Sequence, residues 1–157
     1  MIKKKKMEDS LTEHYQIIMP QHINGTDRLF GGMLLKWIDM VAGVVARRHA
    51  QSNVITASID NLQFKEGAKI NDLVVLIGKV TYVGTSSMEV RVDTYVEAPD
   101  GTRRPINRAY LVMVGLDENE KPTPVPRLLI ETEVQKAEWE GGRKRSKLRK
   151  LRREEGF

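Results

Sequence analysis

Three residues at two spacings carry the chemistry that this sequence offers. Asp39 is the one carboxylate between Met33 and Ala46, a run in which eleven of fourteen residues are apolar. Gly32 stands seven residues before it, preceded by Gly31, and Asn24 lies in the polar stretch 21–28 further upstream. If the apolar run is a helix, seven residues make two turns and about 10 Å of axis, so Gly32 and Asp39 share a face. A helix start offers amides without acceptors and partial positive charge, and glycine lets a carbonyl oxygen approach the backbone there. An oxyanion hole requires that arrangement. A carboxylate two turns along can take a proton or attack a carbonyl. Each residue also has a structural reading, and spacing leaves both open. Asp39 can bond a neighbouring strand, Asn24-Gly25 is a strong turn dipeptide, and Gly31-Gly32 can serve close packing.

Rival chemistries find no motif. His14, His22 and His49 lack ligand spacing and the chain has no cysteine, so a metal site, a disulfide and a cysteine nucleophile are not expected. There is no GxSxG elbow, no GxxxxGK[ST] loop and no GxGxxG fingerprint after a strand. Apolar runs are too short to span a membrane and the basic start has no apolar segment behind it, which points to a cytoplasmic protein. The net charge of +5 resides in the ends: residues 143–153 hold eight basic groups and Lys3 to Lys6 four more, against two acids at Glu154 and Glu155, leaving residues 7–142 at −5. An acidic body argues against a nucleic-acid-binding core and leaves an anion-binding tail open.

The elements that must position these residues follow from periodicity. Residues 1–10 read as a disordered basic lead-in, 11–127 as one domain and 128–157 as a helical basic tail. A first strand ends at Pro20, and a helix opens at Gly31 and is apolar nearly all round. Strands are expected over 54–64, 73–83, 87–97 and 103–116, with turns at Gly84-Thr85 and Pro99-Asp100-Gly101. Pro122, Pro124 and Pro126 mark an extended strap. A helical pattern resumes from Leu128 to Trp139, Gly141-Gly142 breaks it, and the basic tail forms a second, exposed helix. The fold class is α+β, a sheet wrapped around one helix. One sheet cannot cover a helix that is apolar on all sides, so at least a dimer is expected, the alternative being a monomer whose C-terminal helix covers the gap.

The strings NGTDRLFGGMLLKWID, VITASIDNLQF and VGTSSMEVRV resemble the hotdog-fold acyl-CoA thioesterases, in the branch of the cytosolic acyl-CoA hydrolases and their bacterial relatives. The resemblance spans roughly Tyr15 to Arg127. It implies dimers whose two sheets join into one, commonly assembled as trimers of dimers (hexamers), with Asn24 of one subunit facing Asp39 of the other. The activity it implies is hydrolysis of fatty acyl-CoA to fatty acid and CoA, with no cofactor and no metal. Gly32, with Gly31, would polarise the thioester carbonyl, Asp39 would act as general base or nucleophile, and Asn24 would orient the water or the carbonyl.

The resemblance also places CoA contacts. Ala57, Ser58 and Ile59 would present backbone to the pantetheine arm, Ser86, Ser87 and Met88 would hold the nucleotide, and Arg143 and Arg145 would meet a phosphate. A second class of function stands beside this one, a non-catalytic acyl-CoA sensor whose basic tail contacts nucleic acid, because one fold hosts several functions. A dehydratase lacks support, since no histidine stands beside an aspartate in a DxNPxH-like stretch.

Overall fold

Alternation builds the sheet. Strands β4 (Leu73–Val83), β5 (Ser87–Glu97) and β6 (Arg103–Leu116) bury every second residue on one face, Leu76, Val80, Val90, Val92, Leu111 and Met113 among them. With β2 (Thr12–Ile17) and β3 (Asn53–Asp60) they form a five-stranded sheet in the order β2-β4-β5-β6-β3, antiparallel throughout. The computed structural model describes residues 3–60 and 62–157. The strand expected over 54–64 ends at Asp60, and Asn61 lies outside the described residues.

Helix α1 (Gly31–Ala50) lies across the apolar face of this sheet and buries Leu34, Trp37, Ile38, Val41, Ala42, Val45 and Ala46. Gly78 of β4 is what lets it sit so close. A Cβ there would come within 2.7 Å of Val41 and 2.9 Å of Val45. The expected α+β architecture, one long helix against a wrapped antiparallel sheet, is the architecture observed. One subunit does not cover the helix completely: Met40 is 51% and Val44 39% exposed, on the face that also carries Asp39. Among the described residues no helix is long and apolar enough to cross a membrane.

The ends differ from expectation. Residues 3–10 are not a disordered lead-in. Strand β1 (Lys4–Lys6) pairs in parallel with β7 (Arg127–Leu129), and a 3-10 turn at Met7–Ser10 buries Met7 and Ser10; Met1 and Ile2 lie outside the described residues. The basic residues there meet the negative end of α1: the Lys5 ammonium donates to the Arg48 carbonyl. At the other end, Leu128 belongs to β7, and the helix begins at Glu133 instead. Thr132 caps it by accepting from the Gln135 amide, and the Gln135 side chain accepts from the Glu131 amide. Helix α2 (Glu133–Glu155) then runs through Gly141-Gly142 without a break.

The strap brings a titratable group into the core. His49, in the last turn of α1, is fully buried, and its Nε2 donates to the Pro126 carbonyl at 2.7 Å. That bond fixes the proton on Nε2, and Nδ1 has no partner among the described residues. Burial, only partly offset by the Pro126 carbonyl, holds the imidazole below its ordinary value, with Lys5 and Arg127 adding repulsion. The folded state therefore binds fewer protons than the unfolded chain, so this contribution to stability is full above the unfolded value of about 6.5 and is lost as the pH falls. Thermal unfolding should show a Tm that declines from pH 7.5 to 5.5, and His49→Leu should flatten that decline. An equally steep decline in the variant would show that His49 is not its source.

Candidate functional site

Asp39 projects from the open face of α1 toward β3, where the Thr56 hydroxyl donates to its Oδ1 at 2.7 Å. Thr56 pairs with Met113 of β6, on the face of β3 that looks to the helix. The bond fixes one carboxylate oxygen and leaves the other open to solvent in the single subunit. A hydroxyl in the run VITASID gave no sign of this role, because nothing in the sequence says which strand residue faces which helix position. Thr56 is the site residue that sequence reasoning missed.

Two turns above Asp39 the helix starts without a side-chain cap, since its N-cap residue is Phe30. The amides of Met33 and Leu34 both donate to the Phe30 carbonyl, at 3.0 and 3.2 Å. Among the described residues no acceptor takes the amides of Gly31 or Gly32. Both readings of the glycine pair find a physical basis here. A Cβ at Gly32 would stand 2.6 Å from the Phe30 ring, while one at Gly31 would meet the Phe64 ring at ordinary contact distance. Gly32 admits the half-exposed Phe30 ring beside amides that remain free to donate.

Asn24 is a turn residue within its own subunit. Its Oδ1 accepts from the Thr26 amide at 2.9 Å, the Thr26 hydroxyl at 2.7 Å and the Arg28 amide at 3.3 Å. No hydrogen bond joins it to Asp39 of the same chain among the described residues. Those bonds leave the Asn24 amide nitrogen as the group free to reach elsewhere.

The outer face of the sheet holds a second constellation. Ala57, Ser58, Ser86, Ser87 and Met88 line one cavity of about 460 Å³, and Arg149, Arg152 and Arg153 of α2 line its other side. Ile59 is not among its walls; it pairs with Leu111 and packs against the core. Arg143 and Arg145 are not brought to this cavity either. Arg143 pairs with Glu140 at 2.8 Å and lies over the Trp139 ring. Arg145 donates twice to Glu89, at 2.8 and 3.0 Å, and its guanidinium lies 3.8 Å from the Tyr110 ring centroid. The basic groups at the cavity stand one to two turns further along the same helix.

Helix α2 is seated there by a stripe at 138, 142, 145, 149 and 152, the spacing of one helical face. Glu138 accepts from Lys79 and Arg91, each at 2.8 Å, Gly142 lies against Tyr82, and Arg149 and Arg152 reach Asp60. Far from being a solvated tail helix, α2 closes the outer face of the sheet with ion pairs.

Comparison with known proteins agrees with this fold. The sequence profile described as Thioesterase superfamily matches residues 27–101. The chain is 42% identical over 117 residues to an uncharacterized acyl-CoA thioester hydrolase of Bacillus subtilis (strain 168), covering 74% of this chain and 68% of that protein. It is 34% identical over 128 residues to the cytosolic acyl coenzyme A thioester hydrolase of Rattus norvegicus, 79% of this chain and 33% of that much longer protein. A hexameric acyl-CoA thioesterase superposes with a TM-score of 0.91 at 38% identity, over 96% of this chain and 97% of that one. An acyl-CoA hydrolase of Staphylococcus aureus, solved with butyryl coenzyme A, coenzyme A and coenzyme A disulfide, gives 0.92 at 34%, over 98% and 94%. Alanine variants of that enzyme at one aspartate, one asparagine and one threonine superpose equally well.

The seating of α2 rests on a glycine that helix propensity alone would replace. A Cβ at Gly142 would come 2.5 Å from the Tyr82 Cβ and 3.0 Å from Glu89 Oε1. Gly142→Ala gains about 1 kcal/mol of helix propensity, but overpacking against a β-carbon that cannot swing away costs about 1–3 kcal/mol. The close approach lies at the severe end, so the variant should unfold at a lower temperature than wild type. A raised Tm would mean that α2 is not held against the sheet at this point.

Proposed function

Since the chain belongs to the Thioesterase superfamily and its relatives are acyl-CoA thioester hydrolases, we propose that it cleaves fatty acyl-CoA to a free fatty acid and CoA at a site completed by two subunits. The observation that carries this reading is an exposed carboxylate, braced by a hydroxyl at 2.7 Å, two turns below a helix start with free amides. The Staphylococcus aureus variants add support. Their asparagine, aspartate and threonine follow one another at the same separations as Asn24, Asp39 and Thr56.

Asp39 takes the proton of a water with the oxygen that Thr56 leaves free. The resulting hydroxide adds to the thioester carbonyl, and the oxyanion is received by the Gly32 amide, with that of Gly31 beside it. Collapse of the tetrahedral adduct breaks the carbon–sulfur bond and releases CoA thiol after protonation. Direct attack by Asp39 to give a mixed anhydride, then hydrolysed by water, is the other course open to the same atoms. Asn24 of the neighbouring subunit supplies its amide nitrogen to the water or the carbonyl.

The assembly follows from what one subunit leaves open. Strand β3 is an edge strand whose residues are mostly exposed, with Ile55 at 51%, and it adjoins the face of α1 that exposes Met40 and Val44. Pairing of two β3 edges would satisfy their backbone groups, join the two sheets and cover α1. Three such dimers would make a hexamer like that of the hexameric relative.

The CoA nucleotide is assigned to the cavity of about 460 Å³, where serine hydroxyls and Arg149, Arg152 and Arg153 suit its phosphates. Thiol-release assays test the catalytic assignment. Asp39→Ala should lower kcat by roughly 100-fold or more and Thr56→Val by about tenfold, each with little change in KM. Wild-type turnover by Asp39→Ala would remove Asp39 from the mechanism.

A further inference from the structure

Glu89 is a buried carboxylate that the proposed hydrolysis does not use. It stands on the outer face of β5 and is 2% exposed. Its two oxygens accept from the Thr81 hydroxyl at 2.6 Å, from Arg145 twice at 2.8 and 3.0 Å, and from Arg149. Arg149 donates in turn to Asp60, which also faces Arg152 at 3.6 Å. Burial pushes the Glu89 carboxyl up, yet hydrogen bonds from Arg145, Thr81 and Arg149 together bring it below the ordinary glutamate value. It is therefore an anion in a nearly dry place.

Stability is a weak reason to build such an array. Buried ion pairs replaced by well-packed apolar residues are often neutral or stabilising. Helix α2 already has other anchors: Gly142 on Tyr82, the Trp139 and Tyr82 rings 5.2 Å apart, and Glu138 between Lys79 and Arg91. What the array does alter is the freedom of Arg149. One nitrogen is held by Glu89 and another by Asp60, so its remaining donors are aimed before any ligand arrives. Arginine is rich in rotamers, and ordering it beforehand removes a cost of binding. Charge completes the case. Arg149, Arg152 and Arg153 outnumber the two carboxylates of the cavity lining, Glu89 and Asp60, by one, and Arg145, outside the cavity but paired with Glu89, brings the cluster beside Ser58, Ser86 and Ser87 to +2.

We propose that Glu89 is a positioning residue for CoA recognition: it fixes the arginine wall of the cavity under α2 in the geometry that receives the phosphates of the nucleotide. This rests on the reading of that cavity as the nucleotide site. Glu89 does not touch the substrate; it acts through Arg149, with Arg145 and Thr81 holding its remaining lone pairs.

Kinetics with two thioesters of the same acyl group, one on CoA and one on N-acetylcysteamine, test it, because the second lacks the nucleotide. In Glu89→Gln the KM for acyl-CoA should rise about tenfold, the worth of one well-aimed charge-assisted contact, with kcat within about twofold. The rise for the N-acetylcysteamine thioester should be at least about five times smaller. Equal losses on both substrates would mark a merely structural role and overturn the proposal, while the nucleotide reading would stand as long as wild type prefers acyl-CoA. Equal KM values for the two thioesters in wild type would instead overturn the nucleotide reading, and the proposal with it. Should Glu89→Gln fail to fold, Thr81→Val removes only the hydroxyl at 2.6 Å. It should raise the KM for acyl-CoA alone by about threefold, and an unchanged ratio of the two KM values would overturn the proposal.

Discussion

Helix α1 is apolar on more of its circumference than one five-stranded sheet can cover, and the remainder of the structure answers that constraint. Val41, Ala42, Val45 and Ala46 lie fully or nearly fully buried on the sheet, while Met40 and Val44 remain open beside Asp39. A carboxylate there meets two conditions at once. It is close enough to β3 to be braced by Thr56, and it stands in a gap that a second subunit would close. The burial of the helix and the completion of the site are then one event. The edge strand that carries Thr56 is one of the two that the sheet order leaves open on one side.

The opposite face of the sheet is closed by different physics. Strand β5 presents Glu89, Arg91 and Asp93 outward; α2 meets Glu89 with Arg145 and Arg149 and meets Arg91 with Glu138, in place of an apolar stripe, while Asp93 pairs with Arg91 and with Arg108 of β6. Such an interface gains specificity from directed hydrogen bonds more than net stability. It also accounts for the basic C-terminal segment: Arg143, Arg145, Arg149 and Arg152 are matched by carboxylates, and Arg149, Arg152 and Arg153 line a cavity. The N-terminal lysines are accounted for as well, since β1 lies alongside β7 and Lys5 meets the carbonyl end of α1.

Much of this was legible in the sequence, and the gaps have physical causes. The bounds of β4, β5 and β6 follow directly from alternation between turn dipeptides, because each of these strands has one wet or charged face and one buried face. Asp39 stood out as the lone carboxylate in an apolar helix. Thr56 did not, since a strand hydroxyl is ordinary until the helix it faces is known. Helix α2 read as solvated because an ionic docking face has the composition of an exposed one, and Gly141-Gly142 read as a break because close packing against Tyr82 leaves no mark on the local sequence. The capping pair Thr132 and Gln135 was a readable signal for the true start of α2, obscured by the apolar residues of β7 just before it.

The proposed site is shared between subunits, with Asp39 from one and Asn24 from the other. Mixed dimers test that most directly. Co-expression of Asp39→Ala and Asn24→Ala chains carrying different affinity tags, followed by measurement of thiol release by the randomly assembled product, gives a clear expectation. Half of the dimers are mixed, and each mixed dimer regains one of its two sites, so roughly a quarter of wild-type activity should return. Activity no greater than that of the two parent variants would contradict a site built across the dimer.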